Sequence, residues 1–175
     1  MQTEYLNSFT ESWIESLALD ELNMEESGVI HFNEHLDTEK YLEEATLSYM
    51  EYLRDRFELY VQKFNELRTS KTQLNSIKIF KISNTESDFM LFRNSLKLIV
   101  SKSVNGIVSI GFLSNSGGLF SARLNHETPA INMAHEIKAH VGPFHTLSWR
   151  FNGEPVDTDA LIRHYLTEFI KHSAR

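Results

Sequence analysis

The chain has 175 residues, 41% hydrophobic and 23% charged, with 7 Gly, 3 Pro and a formal net charge of −7. That is enough sequence for one packed domain and the wrong composition for disorder. Cysteine is absent, which excludes disulfides, thiolate nucleophiles and cysteine-ligated zinc.

Charge is unevenly spread. Residues 1–60 carry 15 acidic against 3 basic side chains, a balance of −12; residues 61–125 carry 3 against 9, or +6; residues 126–175 carry 6 against 5, or −1. The acidic and basic segments are expected to pair within the fold or across a dimer. Binding of nucleic acid or another polyanion by the basic stretch 63–123 is an alternative, opposed by the long-range repulsion of an acidic protein. The opening MQTEYLNSFTESWIESL has neither a basic nor an apolar leader pattern, since the first lysine is Lys40. No run approaches the roughly 18 to 20 apolar residues of a membrane span. A cytoplasmic protein with no membrane partner is expected.

Along the chain, Ser8-Phe9-Thr10-Glu11 has capping-box spacing and predicts a helix over residues 9–22, with Trp13, Ile14, Leu17 and Ala18 on one side. Ser27-Gly28 reads as a turn and residues 29–32 as a short strand. Leu42, Ala45, Tyr49, Leu53, Phe57, Tyr60, Phe64 and Leu67 recur every three or four residues, the mark of one helical stripe. With no Gly or Pro from residue 38 to 69, this helix should run about 30 residues and about 45 Å. A second apolar set, Leu47, Met50, Tyr52, Leu59 and Val61, points to a further partner for the helix, and a second copy of the chain is the one expected.

The period then changes. Residues 77–82, 91–101, 107–113, 119–124 and 144–151 read as strands. Asn105-Gly106 predicts a type I′ hairpin, and residues 114–118 a second reversal. Asn152-Gly153-Glu154-Pro155 ends the last strand, and Asp157 or Thr158 caps a closing helix whose apolar set is Leu161, Ile162, Tyr165, Leu166, Phe169 and Ile170.

Four of the eight histidines fall within residues 126–145. Thr128-Pro129 and Gly142-Pro143 frame a predicted helix over 129–141, with a strand as the alternative. His135 and His140 bracket a sequence similar to the H-E-x-x-H zincin motif but with one extra residue. Five residues apart they diverge by about 140° on a helix, and on a strand they take opposite faces. No shared ion is reachable, and no cofactor or metal is expected; His126, His140 and His145 are the residual metal candidates. As a helix, the segment would turn His135 to solvent and lay His140 beside the apolar face. His145 would share a strand face with Leu147, Trp149 and Phe151.

Alternation along the predicted strands puts Ser109, Gly111, Ser121, Arg123, Thr146, Ser148 and Arg150 opposite the core, with Arg93 and Lys97 joining them. Arg93, Lys97, Arg123, Ser148 and Arg150 are the candidate ligand-binding residues, on a floor of hydroxyls and cations suited to a carboxylate, a phosphate or an extended peptide. The Gly117-Gly118 pair leads into a strand and offers no phosphate-binding helix start.

The sequence predicts a single α+β domain over residues 1–175, with a helical N-terminal lobe at 1–72 and a sheet plus two helices at 73–175. Its architecture is an antiparallel meander of four to six strands, preceded by a short and a long helix, with a crossing helix and a C-terminal helix packed on the sheet. The expected function is non-catalytic: an adaptor, regulator or chaperone-like subunit, homodimeric through the long helix, binding a protein, peptide or small anion on its sheet face. A histidine-dependent enzyme, with or without a metal, is the alternative.

Overall fold

The structure, a computed structural model, describes residues 4–30, 37–68, 75–114, 119–120 and 134–174, with side chains for 13–30, 37–68, 75–113 and 134–174. It divides into two units, Met1–Thr38 and Glu39–Arg175.

The first unit contributes α1 (Glu4–Ser27). Ser8 and Glu11 therefore lie inside a helix that starts earlier than their spacing suggests. Trp13, Ile14 and Leu17 are exposed. Helix α1 ends as Gly28 turns to φ 67° and donates its N–H to the Met24 carbonyl at 2.9 Å.

The second unit is α+β. Helix α2 (Thr38–Leu67, 30 residues) leads into strands β1 (Lys78–Lys81), β2 (Phe89–Arg93), β3 (Leu96–Val104), β4 (Ile107–Ser114), β5 (Leu119–Phe120), β6 (His135–Val141), β7 (Leu147–Phe151) and β8 (Glu154–Pro155), and α3 (Thr158–Ser173) closes the chain. Every pairing is antiparallel. Seven strands lie in the order β1-β2-β3-β4-β6-β7-β8, and the two-residue β5 also pairs with β4. The count exceeds four to six because one predicted strand divides, a predicted helix is a strand, and Glu154–Pro155 adds β8. Residues 91–101 form two strands rather than one, because Asn94 takes φ 54° and reverses the chain between Arg93 and Leu96. Residues 135–141 form β6 rather than a crossing helix.

The second correction has a physical cause. From His135 to His140 every other residue faces the core side, and Ile137 is fully buried while Glu136, Lys138 and His140 are exposed. That two-residue period suits a strand, and β4 needs a neighbour for the backbone groups at Ile107–Ile110, which β6 supplies. Thr128-Pro129 lies outside the described residues.

Both helices of this unit cover one side of the sheet. Tyr49, Met50, Leu53, Phe57 and Val61 of α2 and Ile162, Tyr165, Leu166 and Phe169 of α3 meet Phe89, Leu91, Leu98, Val100, Val108, Ile110, Phe112 and Ile137 in one core. Aromatic contacts mark the seam: Tyr49 stacks on Trp149 at 4.2 Å and 12°, Phe57 leans on Phe89, and Phe112 on Tyr165. The buried stripe of α2 is rotated from the predicted one, taking in Met50 and Val61 and leaving Tyr60 and Leu67 exposed. Asp157 caps α3 by accepting from Ala160 N at 3.1 Å.

Two Asn-Gly turns behave differently. At Asn105-Gly106 only the glycine is left-handed (φ 82°), and the register shifts between Lys102 and Val104, so this hairpin is bulged and not type I′. At Asn152-Gly153 both residues are left-handed (φ 49° and 86°) and join β7 to β8, the backbone that a type I′ turn needs. Gly106 also ties the hairpin to α2. Its N–H donates to the buried Thr46 Oγ1 at 2.7 Å, while its carbonyl accepts from Ala139 N at 2.8 Å.

Candidate functional site

The face of the sheet turned away from α2 and α3 can be read row by row from the register. Lys78, Phe92, Lys97 and Leu113 stand side by side on β1 to β4. Phe80, Met90, Ile99 and Gly111 form the next row. Ser101, Ser109 and Glu136 follow on β3, β4 and β6. Ile107, Lys138 and Arg150 come after them, then His140 beside Ser148. Phe80 is 44% exposed, and Met90, Phe92, Ile99, Ile107 and Leu113 are half-buried. The face is thus more apolar at the β1–β4 end than its serines suggested.

Of the five candidate residues, three lie on this face and only two lie together. Arg150 Nε donates to Ser148 Oγ at 3.3 Å. Lys97 is three strands and six residues of register away, about 25 Å from strand spacings. Arg123, with Ser121 and His126, lies outside the described residues.

The fifth candidate, Arg93, belongs on the opposite side. It follows Phe89 and Leu91 in the inward phase of β2 and is 1% exposed. Its Nε donates to the Asn75 carbonyl at 3.0 Å, its guanidinium lies 5.7 Å from the Phe64 ring centroid, and Nη1 has no partner. Burial first, and the charge of Arg68 second, hold this group below the ordinary arginine range. A strand unbroken from residue 91 to 101 would put Arg93 in phase with Lys97; the reversal at Asn94 instead pairs Arg93 with Leu96 and turns it inward.

Lys138 and Arg150 are direct cross-strand partners on β6 and β7. Like charges directly opposite repel. Lys138 Nζ has Glu136 Oε2 at 3.5 Å along its own strand, and an anion above the pair would lower the repulsion further. The β6–β7 turn beside them carries Phe144, 99% exposed, with left-handed backbone at Phe144 and His145 (φ 57° and 58°). A non-glycine residue held there costs about 1 to 2 kcal/mol. The predicted strand over 144–151 therefore starts only at Leu147. His145 is exposed in the turn, and its carbonyl accepts from Tyr41 Oη at 2.7 Å.

The histidines separate as their spacing requires, with the faces exchanged. His140 is exposed on the outer face, whereas His135 points inward. His135 Nδ1 meets the Tyr165 hydroxyl, and its ring packs edge-on against Phe151 and Tyr165. Burial, with a smaller contribution from His164, pushes the His135 pKa down, and burial pushes the Tyr165 hydroxyl well up. The pair is therefore a neutral imidazole and a protonated phenol, a satisfied polar contact at the core margin. Among the described residues no three His, Asp or Glu side chains are grouped to hold a metal ion, and no helix is long and apolar enough to cross a membrane.

Compared with protein-family models, curated protein sequences and solved structures, the chain matched none.

Proposed function

We propose that this protein is a non-catalytic binding protein, an adaptor or chaperone-like subunit, that takes a protein, peptide or small anionic ligand on the outer face of its sheet. One observation carries the reading: this face interleaves Phe80, Met90, Phe92, Ile99 and Leu113 with Lys78 and Lys97 on β1 to β4 and carries the facing Lys138 and Arg150 on β6 and β7. Apolar contact area flanked by cations suits a partner with aliphatic or aromatic anchors and carboxylates. The fully exposed Phe144 adds an aromatic anchor at the Arg150 end.

An NMR titration with a short peptide alternating phenylalanine and glutamate tests it. Shifts should concentrate at Met90, Phe92, Ile99 and Lys138, and Arg150→Glu should weaken binding by about tenfold, the effect of about 1.4 kcal/mol. Shifts confined to other surfaces would refute it.

Homodimerisation through α2 is a further part of the reading. Tyr52 and Leu59 are 46% and 53% exposed and one heptad apart, so they share a side of the helix. Light scattering should give a dimer that Leu59→Glu dissociates, and a monomeric native protein would remove this part. We also place the protein in the cytoplasm, which fractionation of native cells checks.

A further inference from the structure

The sheet has two ends of different character. At one, β8 is two residues long and includes Pro155. At the other, β1 is a full four-residue strand whose outer edge pairs with no other strand among the described residues.

The phase of that edge follows from one backbone hydrogen bond. Ile82 N–H donates to the Asp88 carbonyl at 2.9 Å, in the register that pairs Lys81 with Phe89. Hydrogen-bonded pairs recur every second residue of an antiparallel ladder, so Phe80 and Lys78 point their backbone groups at β2. Ile77, Ile79 and Lys81 point theirs outward. The Asn65 side chain confirms the phase. Its Nδ2 donates to the Ile77 carbonyl at 2.9 Å, and its Oδ1 accepts from Ile77 N–H at 3.0 Å. The Asn65 amide thus imitates a neighbouring strand at the first outward position. At Ile79 and Lys81 no described group does the same, which leaves two N–H donors and two carbonyl acceptors in line.

Beside these two positions lies a cleft of about 270 Å³ between β1 and α2, lined by Arg54, Glu58, Ile79, Phe80 and Lys81. Arg54 is paired with Asp55 at 3.0 Å, so the cations that border the open edge are Lys81 on the helix side and Lys78 on the outer side, beside the single carboxylate of Glu58. A second copy added here would bring Lys78 and Lys81 from both chains onto one seam, where like charges repel. An acidic strand would be attracted.

We infer that the open edge of β1 at Ile79 and Lys81 is a docking site for an extended acidic peptide, which adds a strand to the sheet through main-chain hydrogen bonds and sets carboxylates against Lys78 on one face and Lys81 on the other. This mode reads charge and extended backbone more than side-chain shape. The site shares Lys78 and Phe80 with the outer face, but its main-chain hydrogen bonds lie along the sheet edge, so the inference does not depend on the reading proposed for that face.

The test is fluorescence anisotropy of a labelled valine-rich hexapeptide with two glutamates three residues apart, with hydrogen exchange of the full chain read at Ile79 and Lys81. Binding that slows exchange at both amides is expected. Lys81→Pro, which removes an edge N–H and leaves the β1–β2 ladder intact, and Lys81→Glu should each weaken binding by about tenfold or more. N-methylation of the peptide on alternate residues should abolish it. No binding at millimolar peptide, equal binding of the N-methylated peptide, or protection elsewhere without protection at Ile79 and Lys81 would each overturn the inference. A concentration-dependent dimer joined at β1 would assign the edge to a second copy and overturn it too.

Discussion

Thr46 joins the long helix to the sheet with one hydroxyl. It is fully buried, donates to the Leu42 carbonyl one turn back and accepts from Gly106 N–H at 2.7 Å. Valine has nearly the same shape and helix propensity, so Thr46→Val isolates the hydroxyl. The Leu42 carbonyl retains its helical backbone bond. Gly106 N–H, also buried, is left without an acceptor, at a cost of about 1 to 3 kcal/mol. The added methyl returns about 0.8 kcal/mol at most, so a net loss of about 1 to 2 kcal/mol is expected. Thr46→Ser retains the hydroxyl and loses a methyl, at about 1 kcal/mol. Denaturant titration should show a lower midpoint with unchanged slope, and Gly106 N–H should exchange faster in the valine variant alone. A valine variant as stable as the parent, with Gly106 still protected, would refute the reasoning.

Other expectations follow from single observations. Because burial lowers the His135 pKa below the ordinary value near 6.5, the unfolded chain binds more protons in the window between the two values. Stability should therefore fall as pH drops below about 6.5, and the drop should be smaller in His135→Gln, by denaturation at successive pH values; parallel curves would contradict it. Phe144→Gly removes left-handed strain from a side chain that is almost wholly in solvent. It should raise stability by about 1 kcal/mol or less and weaken peptide binding on the outer face, whereas a destabilised variant would show an unseen contact. Asn65→Ala breaks both hydrogen bonds to Ile77 and should cost about 1 to 3 kcal/mol, with faster exchange at the Ile77 amide.

Periodicity alone made much of the architecture legible. Helices α2 and α3 carry long stripes that only one backbone period explains, and Asp157 announces its cap. Strands β3 and β4 alternate and flank an Asn-Gly pair. The misread elements share a cause: local signals that a neighbour overrode. Gly142-Pro143 is a sound helix stop, yet β4 had backbone groups to pair, and residues 135–141 answered that need. At Asn94 a left-handed asparagine, not glycine or proline, reversed the chain, and the phase of Arg93 was lost with it. Alternation is enough to put Lys97, Ser148 and Arg150 on one face, but the 25 Å or so between its ends depends on register, which one strand's pattern does not contain. The open edge of β1 was invisible for the same reason, since strand order decides which strand ends the sheet.

The central claim is that the outer sheet face is the working surface. A photoreactive phenylalanine analogue at Ile99, compared in native cells with one at the exposed Leu67, tests it most directly. The account predicts a discrete crosslinked partner from position 99 that Arg150→Glu diminishes, and none from position 67. Equal crosslinking from both positions, or an Ile99 product indifferent to Arg150, would contradict it.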